Sequence, residues 1–323
     1  MRLATVLTPM SNENLQLAAQ CGVTDIVARY PAGGLAELCD IQKRVASFGM
    51  QVTVVEGYLP IENIKIGADD GRELRAVIQL LRDMSQLGLP LLCYNFMAGT
   101  DWVRTRLDAP ERGGAKVTAF KLQEVGQAMS LSKTASSVTA QPISAGTLWS
   151  NLERFLNAVV PVAEECGVTL AMHPDDPPLA EFLGKARIMN SLDNFERLVK
   201  LVPSSRNGIC FCQGTFAEMG VDIPQAIRRL GPHIRYVHFR DIRGTCEAFT
   251  ETFHDNGQTD MAAAMRAYRD AGFAGPMRPD HVPQLVGEDE GEPGYTMLGR
   301  LFAFGYMRGL MHAVDDSGKR FLS

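Results

Sequence analysis

The chain carries no pattern of a disulfide framework: its seven cysteines, at 21, 39, 93, 166, 210, 212 and 246, are odd in number and scattered through apolar segments. Reduced thiols are therefore the expected state. It also lacks any run of about 18 apolar residues, so no membrane span is expected. The N-terminal MRLATVLTP turns polar after eight residues, without the apolar stretch of a signal peptide, and points to a cytoplasmic protein. Lysine and arginine are nowhere clustered among aromatics, and the formal charge is −5, which argues against nucleic acid as the main partner. Neither G-x-G-x-x-G nor a P-loop follows the first apolar run, so the usual nucleotide signatures are missing. No repeat or low-complexity tail is visible. A small-molecule substrate is left as the simplest expectation, with self-association into a homo-oligomer open.

What is present is a chain of 323 residues, 46% of them hydrophobic, enough for a large core. Eight short β-rich runs recur from end to end: RLATVLT (2–8), TDIVARY (24–30), QVTVVEGY (51–58), PLLCYNF (90–96), VTLAMHP (168–174), NGICFC (207–212), IRYVHFR (234–240) and GPMRP (275–279). Stretches such as RELRAVIQLLRDMSQLG (72–88) and LWSNLERFLNAVVPVAEECG (148–167) follow them with apolar residues at helical spacing. Glycine closes several of these just before the next strand, as in QCGVTDIV and EECGVTLAM. Such alternation implies right-handed βαβ units and a parallel sheet. Eight units close an α/β fold of the (β/α)8 TIM-barrel type, which needs roughly 250 residues. The expectation is a single barrel domain over 1–323. The surplus lies at about 97–145, after the fourth strand, a polar stretch that reads as an inserted loop over one end. A doubly wound open sheet is the rival, but the polar residues sit at several strand ends rather than in one crevice.

In such barrels chemistry gathers at the C-terminal ends of the strands. There the fifth to eighth runs offer His173, Cys212, His238 and Asp280, spaced 39, 26 and 42 residues apart, close to one βα unit each. Each has a bland reading: a satisfied core imidazole, a small buried thiol, an aspartate capping a helix. Four such coincidences at consecutive strand ends favour a divalent metal. Two imidazoles, a thiolate and a carboxylate suit manganese, iron, cobalt or zinc better than calcium or magnesium. As a closed tetrahedral set they would make a structural zinc site. Catalysis requires a metal that accepts further ligands, which favours manganese or iron. Side chains two apart share a strand face, so Arg278 points with Asp280, placed to hold a substrate carboxylate. His281 stands beside that aspartate as a general acid or base. Asp175 and Asp176 in HPDDPP, and Glu251 and His254 in FTETFH, read equally well as turn and loop residues.

HPDDPP, NGICFCQG, YVHFRDIRG, FTETFH, DNGQTDM, MRPDH and GYTMLGRLFAFGYMRGL together resemble the mannonate dehydratase family, metal-dependent barrels of the xylose-isomerase-like superfamily. The likeness extends upstream through VVEGYLPIENIKIG (54–67) and CYNFMAGTDWVRTRL (93–107). It implies dehydration of D-mannonate to 2-dehydro-3-deoxy-D-gluconate, a β-elimination through a metal-stabilised enediolate. It implies the same four metal ligands, His281 and Tyr295 as the acid/base pair, and Arg278 as a substrate holder. Asn95, Arg104 and His254 are expected to touch hydroxyls or form a lid. The chain departs from the family in IVARYPAGG, where the family has a histidine-containing, tryptophan-bearing stretch, and in QGTF after Cys212. A metal-dependent sugar or sugar-phosphate isomerase or epimerase is the alternative; such enzymes use paired glutamates, and only Glu56 fits. A third reading is a non-catalytic sugar-acid-binding barrel around structural zinc.

Overall fold

The computed structural model describes residues 1–99, 102–127, 129–130 and 142–315. Eight parallel strands close a barrel: β1 (Arg2–Thr5), β2 (Asp25–Ala28), β3 (Gln51–Glu56), β4 (Leu91–Tyr94), β5 (Thr169–Met172), β6 (Asn207–Cys212), β7 (Ile234–Phe239) and β8 (Pro276–Pro279). Each strand pairs with its neighbour in sequence, and β8 closes the ring on β1. Around them run α1 (Asn12–Gln20), α2 (Gly34–Ala46), α3 (Arg72–Gln86), α4 (Ala145–Cys166), α5 (Leu192–Leu201), α6 (Ile223–Leu230), α7 (Met261–Asp270) and α8 (Met297–Val314). The expected (β/α)8 barrel is therefore the observed fold.

The reasons are local. β3 reads QVTVVE and is buried from Val52 to Glu56, since a strand covered on both faces has no need to alternate. α3 buries Val77, Leu80, Leu81 and Met84 on one stripe, a 3.6-residue period facing the barrel. Ser11, Ser144, Ser191, Asp222 and Asp260 each accept a backbone N–H at a helix start. Gly167, at φ 68°, turns the chain out of α4 and straight into β5. The main apolar cluster lies between barrel and helices. A smaller one, including Val27, Val54, Leu91, Cys93, Ala171 and Cys210, fills the barrel itself. Among the described residues no helix is long and apolar enough to cross a membrane.

The segment expected as a loop at 97–145 is different where it is described. Its strands Arg106–Pro110 and Lys116–Lys121 pair with each other. Lys116–Lys121 also pairs with Ala248–Glu251, half of a hairpin that follows β7. Lys116 further bridges to Gln284, past β8. Loops after three strands thus join into an antiparallel cap. Residues 131–141 of that expected loop lie outside the described residues.

Candidate active site

Strand ends deliver the four expected donors to one place. β6 ends at Cys212; His173 and Asp280 are each within one residue of the end of β5 and β8; His238 is the penultimate residue of β7. Cys212 sits opposite His238 in the ladder, and His238 opposite Arg278, so the three stand at one level. One donor atom from each of His173, Cys212, His238 and Asp280 lies within 4.8 Å of all the others. Asp280 Oδ2 is 3.6 Å from Cys212 Sγ and 3.7 Å from His238 Nδ1.

The surroundings give Cys212 and Asp280 the charge states a metal ligand needs. Burial opposes ionisation of the Cys212 thiol, but Arg240 and His173 hold it well below the ordinary thiol range. Against burial, His281 and Arg278 do the same for Asp280. Burial works against the His173 imidazolium too, yet Cys212 raises its pKa to about 9. The site thus gathers two anions, stabilised by arginines and by imidazoles whose protons a cation would displace. Orientation is also fixed. His173 Nδ1 donates to the Pro174 carbonyl at 2.7 Å, which directs Nε2 away from the backbone. Thr215 donates to Cys212 Sγ at 3.2 Å, and Arg240 Nε to Asp280 Oδ2 at 3.0 Å. This mixed donor set fits a borderline divalent cation. A second set, Cys93, Cys210 and His238, lies deeper in the barrel and shares the imidazole.

Beside the donors lie His281 and Tyr295, the two residues expected to be an acid/base pair. β8 has ended at Pro279, and His281 turns into the pocket with its Nδ1 2.6 Å from Glu251 Oε1. The carboxylate can only accept, so Nδ1 carries the proton and Nε2 is left for chemistry. Nε2 lies 3.8 Å from Asp280 Oδ1. Glu251 is held well below the usual carboxylate range, since His281, Arg104 and Arg240 overcome its burial. Tyr295 closes on His281 at 5.5 Å between ring centroids, and burial raises its phenol above 10. Trp102 stacks on His281 at 4.4 Å and meets Tyr295 edge-on at 5.1 Å. Its φ of 43° is strained for a side chain of this size. Trp102 sits in the DWVRT motif, but no feature of the sequence assigned it this wall.

The other expected residues fare differently. Asn95 lines the same pocket, of about 100 Å³ and open at its mouth, and accepts from Lys65 Nζ at 3.0 Å. Arg278 lines it too, but its nitrogens are engaged: Nη2 and Nε on Glu56 at 2.7 and 3.2 Å, Nη1 on Asp280 at 2.8 Å. Arg104 does not reach the pocket. It is fully buried beneath, bound to Asp176 at 2.7 Å and Glu251 at 2.6 Å. His254 also lies off the pocket, buried and stacked on Phe239 at 6.3 Å. Glu56, the one glutamate that fitted an isomerase pattern, is tied to Arg278 and to Tyr236, which donates at 2.8 Å. Arg29 and Tyr58 enter the pocket from strand ends that the sequence reading left without a role.

Residues 8–320 match the family model described as D-mannonate dehydratase (UxuA). A mannonate dehydratase 2 from Halalkalibacterium halodurans is 31% identical over 327 residues, covering 93% of this chain and 94% of its own. A mannonate dehydratase from Oceanobacillus iheyensis is 33% identical over 298 residues, covering 86% and 85%. Among solved structures, the mannonate dehydratase from Streptococcus suis serotype 2 superposes with a TM-score of 0.86 at 29% identity, over 97% of this chain and 93% of that one. An L-ribulose 3-epimerase aligns at a TM-score of 0.62 and 16% identity over 97% and 95%, a likeness of fold.

Proposed function

The chain belongs to the D-mannonate dehydratase family and is a hydro-lyase; on that premise we propose that it converts D-mannonate to 2-dehydro-3-deoxy-D-gluconate and water, with a divalent cation held by His173, Cys212, His238 and Asp280. The observation that carries this is the meeting of a mixed four-donor cluster, three of whose members line the pocket, with an oriented histidine and a buried tyrosine in that pocket. A bound cation, manganese in preference to iron, cobalt or zinc, supplies the Lewis acidity that makes the carbon beside a carboxylate acidic. The protein's own groups do the rest. His281 Nε2 takes the proton from C2, and Glu251 stabilises the imidazolium that forms. Tyr295, kept protonated by its raised pKa, gives its proton to the C3 hydroxyl. The C2–H and C3–O bonds break, a C2=C3 double bond forms, and the resulting enol becomes the ketone. Trp102 roofs both groups and keeps bulk water from the face of His281 on which it stacks. Arg278 positions Asp280 and Glu56.

The test uses manganese-loaded protein and a panel of aldonates, with 2-keto-3-deoxy acids as the detected product. His281→Asn should slow dehydration about 10²- to 10⁴-fold while metal content stays at the wild-type level. Loss of metal together with activity would contradict the assigned role. No product from any hexonate would sink the dehydratase reading for this chain.

A further inference from the structure

A sugar acid needs a cation for its carboxylate, and the pocket's arginines differ in what they have left to give. The side chains of Arg278, Arg240 and Arg104 are at most 1% exposed, each locked into buried ion pairs. Arg29 is 28% exposed and lines the pocket. It is the first residue past β2. Its approach to Glu56 is 3.7 Å, beyond hydrogen-bond length, and among the described residues no hydrogen bond holds its guanidinium. What holds it is aromatic: Tyr58 at 5.2 Å and Tyr295 at 5.4 Å from the guanidinium carbon. The seat is built for it. Gly57, at φ +79°, leaves room that a Cβ would take, 2.9 Å from Arg29 Nη1. Tyr58 follows at φ 59°, a conformation a tyrosine adopts only when its surroundings impose it.

We infer that Arg29, seated over Gly57 and against Tyr58, is a carboxylate-binding subsite that holds the acid group of the sugar acid. The inference rests on the proposed dehydration and names how its substrate is recognised. Glu56 ties this subsite to the donor cluster, lying 3.7 Å from Arg29 and 3.3 Å from His238 Nε2. Arg29, His281 and three of the four donors line the same pocket, so one sugar acid can reach them together.

Binding separates the subsite from turnover. In manganese-loaded His281→Asn protein, calorimetric Kd values are compared for D-mannonate and its neutral carboxamide, with and without Arg29→Met. The expected result is about 30-fold weaker mannonate binding and less than about threefold change for the amide. Arg29→Lys should recover part of the loss, and in active enzyme Arg29→Met should raise KM far more than it lowers kcat. Equal weakening of acid and amide, or no weakening of either, would overturn the subsite while leaving the dehydration intact. Charge-dependent binding without product from His281-bearing enzyme would uphold the subsite and overturn the dehydration.

Discussion

Buried charge at the mouth of the barrel runs as an alternating chain. Glu56 holds Arg278, Arg278 holds Asp280, Asp280 holds Arg240, Arg240 holds Asp176, Asp176 holds Arg104, and Arg104 holds Glu251, which ends on His281. Deleting one member strands its neighbour as an uncompensated buried charge, a cost of about 3–5 kcal/mol. The same chain connects Asp280, a proposed metal ligand, to the orientation of His281. His254 stands outside it, and burial presses its pKa from 6.5 down to about 4. The folded state then binds its proton less readily than the unfolded chain, so stability is lost as pH falls from about 6.5 toward 4. Between pH 7 and pH 5 this one group should remove about 2 kcal/mol. Urea unfolding of His254→Gln should show a pH slope flatter by that amount; parallel slopes would mean His254 does not titrate this way. FTETFH reveals residue types without direction, which is why Glu251 and His254 were equally readable and only Glu251 reaches the site. Strand-end residues were legible because alternation and barrel closure fix where they point. Arg29 was not, since its value depends on which neighbouring arginines are already paired.

At the scale of elements, the cap decides where Glu251 stands. Ile242–Thr245 and Ala248–Glu251 form the hairpin that ends on it, and Lys116–Lys121 braces the outer edge. Gly244, inside that hairpin, has φ +121°, and a Cβ there would come within 2.1 Å of the Ala248 carbonyl oxygen. The collision is with backbone, so it cannot be relieved by moving a side chain. Gly244→Ala should open the hairpin, detach Glu251 from His281 and lower kcat about 10²-fold. Far-UV circular dichroism and metal content should stay near wild type, and limited proteolysis should speed up in the cap. Full activity with an unchanged cleavage pattern would show that the hairpin does not position Glu251. The cap was the least legible element. The helices and barrel strands announce themselves by local periodicity, whereas Lys116–Lys121, beside its near partner Arg106–Pro110, is fixed in the cap by Ala248–Glu251, across the βα units in between. Nothing local distinguishes such a strand from the loop it was read as.

Across the whole molecule, closure of the barrel turns four distant sequence positions into one candidate coordination site at the ends of β5 to β8, half of the ring. A cation held there would tie four successive strands together, so its binding must appear in global stability. At a free manganese concentration about 100 times Kd, the folded state should gain about 2.7 kcal/mol, lost again on chelation. The gain is read as a rise in unfolding midpoint with added metal, matched against metal content. Cys212→Ser should remove most of it, because the thiolate beside Asp280 is one of four donors. Cys210→Ser should leave it nearly whole, since Cys210 belongs to the deeper set with Cys93. That comparison has force because both cysteines sit on β6, two residues apart, and both are fully buried. The two sets also differ in softness: two thiols and one imidazole favour zinc, while the mixed outer set accepts manganese. A manganese-induced gain that survives Cys212→Ser and vanishes with Cys210→Ser would move the cation's seat inward, away from His281 and Tyr295, and the proposed elimination would lose its centre.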